Sequence, residues 1–185
     1  MKRLVYYIPL FLFSCSQLQE KPQKPTYFPL KAFMEQQIAA LSTQKPLLLK
    51  MVEAEGQSDT TQTTAADWTK ELDLFVQADL NKPAYINSYT VSNEGNTTRY
   101  VVKNGERLPT QFLKITRDPV SQLPITVEAL SRTENYLFTS QKQVSLVASI
   151  NKDGKWRLAQ YRIEGFQQLI FGSKKPFKIV GILSR

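Results

Sequence analysis

AYINSYTVSNEGNTTRYVVKNG, residues 84–105, is the stretch in which the chain changes its period. Before it, apolar residues recur every three or four positions. From Ala84 onward they alternate with polar ones, the pattern of a strand with one buried face. Asn93–Asn96 supplies a turn between two such runs, and Asn104-Gly105 is the dipeptide that best fits a tight type I′ hairpin.

The alternation continues to the C-terminus. RLPTQFLKITR (107–117) is next, with Pro109 marking an edge or an irregular start. Asp118-Pro119 and Pro124 bracket a turn. ITVEALSR (125–132) and VSLVASI (144–150) follow as strands, separated by TENYLFTSQK. Asp153-Gly154 marks another turn. WRLAQYRIEGFQQLIFG (156–172), with a break expected near Gly165, and FKIVGILSR (177–185) complete about seven antiparallel strands at short spacing.

Upstream, LKAFMEQQIAALSTQ (30–44) places Leu30, Phe33, Met34, Ile38 and Leu41 on one helical face between Pro29 and Pro46. LLLKMVEAEGQSDTTQTT (47–64) reads as two short strands about a turn at Glu55–Ser58. TAADWTKELDLFVQADL (64–80) carries a second stripe: Trp68, Leu72, Phe75, Val76 and Leu80. Thr64 and Asp67 have capping-box spacing, and Asn81-Lys82-Pro83 forms a stop. The expected fold is α+β: two N-terminal amphipathic helices followed by a large antiparallel β-meander, curved or partly closed.

At 185 residues, 42% hydrophobic and 22% charged, the chain suits one domain with a real core. Histidine is absent, which removes the commonest general base and the commonest zinc ligand. The one cysteine, Cys15, excludes an intrachain disulfide. The formal charge of +8 is uneven: residues 111–185 hold twelve Lys or Arg against five Asp or Glu, a net of +7. The lysines are dispersed, as on a solvated sheet face, and lysine also guards strand edges.

Cys15 closes a leader of three parts. Lys2 and Arg3 are basic, Leu4 to Phe13 is apolar, and Ser14 is small. Ten or so apolar residues are too few to span a bilayer, which takes about 20, but they suit a signal peptide. Leu12, Ser14 and Cys15 resemble a bacterial lipobox, with Phe13 bulkier than usual at the intervening position. The resemblance implies diacylglycerol on the Cys15 thiol, cleavage before Cys15 and acylation of the new amino terminus. It implies a cell-envelope protein, and Ser16 after the cysteine points to the outer membrane. The expected organisation is a cleaved signal peptide at 1–14, lipidated Cys15 with a Pro-rich tether at 15–28, and one domain at 29–185. Pro22, Pro25 and Pro29 favour an extended spacer of up to about 40 Å.

The segments YFPLKAFMEQQIAAL, WTKELDLFVQADLNKP and YRIEGFQQLIFG also resemble a group of Bacteroidetes-type envelope lipoproteins. These are packing patterns, and the group has no known activity to carry over, so the resemblance implies location and fold only.

Motifs with chemical content are weak. Ser42-Thr43-Gln44-Lys45 matches the SxxK string of serine acyl-transfer enzymes without its SDN and KTG companions. Glu53 and Glu55 share a strand face, and Glu71 and Asp73 lie two apart on the second helix; both pairs read as solvated charge. No DxDxDG calcium loop occurs. Trp156, Tyr161, Phe166, Phe171 and Phe177 lie among basic residues, but alternation sends them to both sheet faces, so most read as core rather than as a nucleic-acid surface.

The sequence therefore leads to a non-enzymatic binding or scaffolding module, held on the membrane by its lipid, without cofactor or metal, with an envelope protein or polymer as partner and no nucleic acid. The rival is a carrier of lipid or acylated cargo, which requires a cavity under the sheet lined by Phe112, Ile115, Val127, Leu146, Ile163 and Leu169.

Overall fold

The computed structural model describes residues 25–184. The leader, Cys15 and most of the tether lie outside the described residues.

One sheet dominates. The chain enters through helix α1 (Leu30–Gln44) and forms the hairpin β1 (Leu48–Ala54) and β2 (Gln57–Thr63). Two short helical turns follow, α2 (Trp68–Glu71) and α3 (Asp73–Gln77), then a 3-10 turn at Pro83–Tyr85. The chain next runs as an unbroken meander: β3 (Tyr89–Glu94), β4 (Thr97–Val102), β5 (Thr110–Arg117), β6 (Pro124–Glu134), β7 (Phe138–Ile150), β8 (Trp156–Leu169) and β9 (Lys175–Leu183). The sheet order is β2-β1-β9-β8-β7-β6-β5-β4-β3, antiparallel throughout.

This corrects the expected architecture. There are not two N-terminal helices followed by a separate meander. The early hairpin belongs to the same nine-stranded sheet, because β1 pairs with β9 from Leu48↔Leu183 to Ala54↔Phe177. The last strand of a meander presents unpaired amides and carbonyls, and β1 covers them. The sheet is also open, with β2 and β3 as its outer strands, rather than closed on itself.

The second predicted helix needs correction too. Leu72 leaves helical geometry (φ −108°, ψ 7°) and divides the segment into α2 and α3. So short a segment is marginal as a helix by itself, and tertiary burial decides its path. The kinked path buries Trp68, Leu72 and Phe75 together. Its N-cap is Asp67, whose carboxylate accepts from the Lys70 amide at 3.3 Å, rather than the Thr64 of the expected capping box.

The β1–β2 turn has Glu55 and Gly56 both at positive φ (51° and 79°), as a two-residue type I′ turn requires. Asn104-Gly105, by contrast, sits in a longer loop, since β4 ends at Val102 and β5 starts at Thr110. β8 is continuous through Gly165 instead of broken there. A side chain at that position would collide with the Gln141 carbonyl of β7, so the glycine permits close pairing.

The core forms a single layer between the helices and one face of the sheet. Leu30, Phe33, Met34 and Leu41 of α1 join Trp68, Leu72 and Phe75 over Leu113, Ile115, Val127, Leu146, Leu158 and Ile163. Each such side chain contributes about 1.5–3 kcal/mol when fully buried. Phe33 meets Trp156 edge-on at 5.6 Å and docks α1 across the start of β8. The N-cap of α1 is Pro29, which offers no side-chain acceptor. Buried Asp79 supplies one from another part of the chain, accepting from the Lys31 amide at 3.1 Å.

Candidate functional site

The helices cover only part of the sheet. Where β6, β7 and β8 run on past α3, polar side chains join Pro109, Phe138 and Val144 on the inward face, with Thr110 and Ser140 buried at its floor. Two cross-strand rows make the polar part. Thr110, Ser131 and Lys142 are successive partners across β5, β6 and β7. Thr133, Ser140 and Gln167 are successive partners across β6, β7 and β8. Side chains directly opposite on one face of an antiparallel sheet stand together, so these rows present hydroxyls, an amide and an ammonium side by side. Gly165 takes the position after Lys142 and adds no side chain to the row.

Leu74 and Gln77 of α3, with Lys82 just before the 3-10 turn and Tyr85 within it, line the trough from the helical side. The resulting trough has a volume of about 390 Å³. Lys82 lies 5.0 Å from the Tyr85 ring centre and donates to the Gln77 carbonyl at 2.9 Å. Burial pushes the Tyr85 phenol above its ordinary value. Neither Asp nor Glu lines the trough. Among the described residues, Lys142 is half-buried with no carboxylate in ion-pair range. Its surroundings therefore offer hydrogen-bond donors and positive charge to a ligand that accepts.

A second cleft, of about 300 Å³, lies at the C-terminal end of α1. Its floor is Trp156, Leu158 and Leu183, and its rim includes Gln37, Gln44 and Arg157. It abuts Ser184, and Arg185 is outside the described residues.

A buried polar cluster lies beneath α2. Glu71 accepts from Lys50 at 2.7 Å and from the Tyr161 hydroxyl at 2.5 Å, one partner on each carboxylate oxygen. Its side chain is only 13% exposed, so the solvated reading of Glu71 does not hold. Burial, followed by the bond to Glu71 and its negative charge, raises the Tyr161 phenol above its usual range. The Tyr161 ring fills the space over Gly181, where any side chain would collide with it. The cluster is closed by its own contacts and reads as a latch joining α2 to the sheet.

The other sequence candidates are dispersed. Ile115, Val127, Leu146 and Ile163 are packed in the core under the helices. Phe112 belongs to the reverse face, where the Arg99 guanidinium stands 5.6 Å from its ring centre, and Leu169 is exposed at the end of β8. The six do not line one cavity, because strand alternation sends Phe112 to the other face and Leu169 lies beyond the helices. Glu53 and Glu55 pair with Lys178 and Lys175 across the sheet. Ser42 is exposed at the end of α1, and Lys45 is its left-handed C-cap (φ 46°). Trp156 donates to the Pro124 carbonyl at 2.6 Å.

Among the described residues, no group of three or more Cys, Asp or Glu side chains is placed to hold a metal ion, and no helix is long and apolar enough to cross a membrane. No family model, curated protein or solved structure matches the chain.

The trough residues are not singled out by sequence. Their only signal is polar residues at inward strand positions, Ser131, Ser140 and Lys142, where the neighbouring inward positions are Ala129 and Val144.

Proposed function

We propose that this chain is an envelope lipoprotein, anchored in the outer membrane through acylated Cys15, that acts as a non-enzymatic binding module. Its ligand is an envelope polymer carrying acidic groups among hydroxyls, held in the trough between α3 and the bare ends of β6–β8. The supporting observation is the lining. Lys142 and Lys82, the hydroxyls of Ser131 and Thr133 and the amide of Gln167 share with Leu74, Pro109, Phe138 and Val144 the lining of a space that no carboxylate lines, with Thr110 and Ser140 buried at its floor. Neutral donors match sugar hydroxyls, and the two ammonium groups match carboxylates or phosphates.

Calorimetric titration with an oligogalacturonate, and with a neutral oligosaccharide of equal length, tests this reading. The acidic oligomer is expected to bind and the neutral one to bind at least about tenfold more weakly, as loss of a charge-assisted contact implies. Lys142→Glu is expected to abolish the preference. Equal affinity for both oligomers, or an unchanged preference in Lys142→Glu, contradicts it.

A further inference from the structure

The β6–β7 and β8–β9 turns project together at one end of the sheet. Between them they expose Tyr136, Leu137, Leu169, Ile170 and Phe171, with Phe171 98% and Tyr136 81% exposed. The Ile170 amide donates to the Leu137 carbonyl at 3.0 Å, so the two turns form one tip. Scattered surface apolar residues need no explanation, but five large ones on one protruding tip do.

Part of the backbone of this tip is paired within it. Asn135 Oδ1 accepts from the amides of Leu137 and Phe138 at 2.8 and 3.0 Å. The Asn135 amide donates to the Phe138 carbonyl, and the Gly172 amide to the Leu169 carbonyl, at 3.0 and 2.9 Å. A segment that enters the membrane interface gains from pairing its polar backbone internally, and the amides of Asn135, Leu137, Phe138, Ile170 and Gly172 are so paired. Within residues 135–138 and 169–174 the charged side chain is Lys174 alone. It stands on the shoulder of the tip, with its ammonium 3.7 Å from the Phe166 ring centre. A lysine set back from an exposed aromatic and aliphatic point is the arrangement that snorkels to lipid phosphates while the point enters the acyl boundary, which favours a bilayer as the occupant.

We infer that this tip enters the interface of an anionic bilayer, with Phe171 and Ile170 deepest and Lys174 at the headgroups. The inference goes beyond the binding reading and does not depend on acylation of Cys15. It orients the domain with the bare ends of β6–β8, and hence the open side of the trough, toward the membrane.

The test uses the full chain carrying Cys15→Ser and a single nitroxide, at Phe171→Cys or at Val120→Cys. Val120 is 91% exposed in the β5–β6 turn at the opposite end of the sheet. Vesicles are phosphatidylcholine with about one-third phosphatidylglycerol, and depth is read from accessibility to oxygen against an aqueous relaxing agent. The label at 171 is expected to lie about 5–10 Å below the headgroup boundary while the label at 120 stays aqueous. Failure of the chain to bind these vesicles, an aqueous label at 171, equal depth at both sites, or a label at 171 already immobilised without vesicles by a second copy of the chain would each overturn the inference. None of these outcomes bears on whether the trough takes an acidic polymer.

Discussion

The Tyr161 hydroxyl donates to Glu71 at 2.5 Å across ninety residues of sequence. That bond, with the 2.7 Å pair between Glu71 and Lys50, fixes the kinked helical segment to β1 and β8. Tyr161→Phe removes one donor from a largely buried carboxylate. The expected loss is about 1–3 kcal/mol at neutral pH, read as a lower urea midpoint with unchanged m-value.

Alkaline pH probes the same group. Burial, the bond to Glu71 and its charge raise the Tyr161 phenol above the value it has in the unfolded chain. The unfolded chain therefore releases this proton first, and Tyr161 contributes stability that is complete below about pH 10 and is lost as the pH climbs above it. Stability should fall by about 1 kcal/mol for this group near pH 11, and Tyr161→Phe should flatten that fall. Tyr89, also raised, chiefly by burial, leaves part of the slope in place. Urea midpoints for both proteins at neutral and alkaline pH check this; identical slopes would contradict it.

Gly181 and Tyr161 are coupled by space. A Cβ at position 181 meets the Tyr161 ring, so Gly181→Ala should destabilise by about 1–3 kcal/mol. In a Tyr161→Leu background the same substitution should cost less. A double-mutant cycle by thermal unfolding reads the difference, and additive costs would refute the coupling.

Asp79 caps α1 from outside the helix. It accepts from the amides of Lys31 and Asn81 at 3.1 and 2.9 Å. Asp79→Ala should cost about 1–3 kcal/mol, more than an exposed N-cap, because it strands amides beneath the surface. Hydrogen exchange should show the first turn of α1 losing protection before the sheet does.

How far the sequence reveals this structure depends on the range over which each feature acts. Strands from Tyr89 onward are legible because one face is buried and period two survives in the residues. The turn expected at Glu55–Ser58, which the structure narrows to Glu55-Gly56, and the one at Asp153-Gly154 are legible because positive φ is a local demand. The pairing of β1 with β9 is not. Its register sets Glu53 opposite Lys178, two residues 125 positions apart, and a contact of that range leaves no local trace. The Glu71 latch is hidden for the same reason: its partners come from β1 and β8. The trough is hidden because Ser131, Ser140 and Lys142 look like ordinary surface positions until three strands set them in rows.

Anchoring rests on Cys15. Wild-type protein made in a diderm bacterium should partition into the detergent phase, and Cys15→Ser into the aqueous phase, because two or three acyl chains give stable attachment. Wild-type protein that stays aqueous would refute the lipid anchor while leaving the trough untouched.

The central claim is that the trough where the sheet runs on past α3 is the binding surface. Amide chemical-shift mapping during titration with an oligogalacturonate tests it most directly. The account predicts saturable shifts at Ser131, Thr133, Ser140, Lys142 and Gln167, with the α1 cleft around Arg157 and Leu183 unmoved. Shifts confined to that cleft or to the reverse face around Phe112 and Lys114, or no shifts at all, would contradict it.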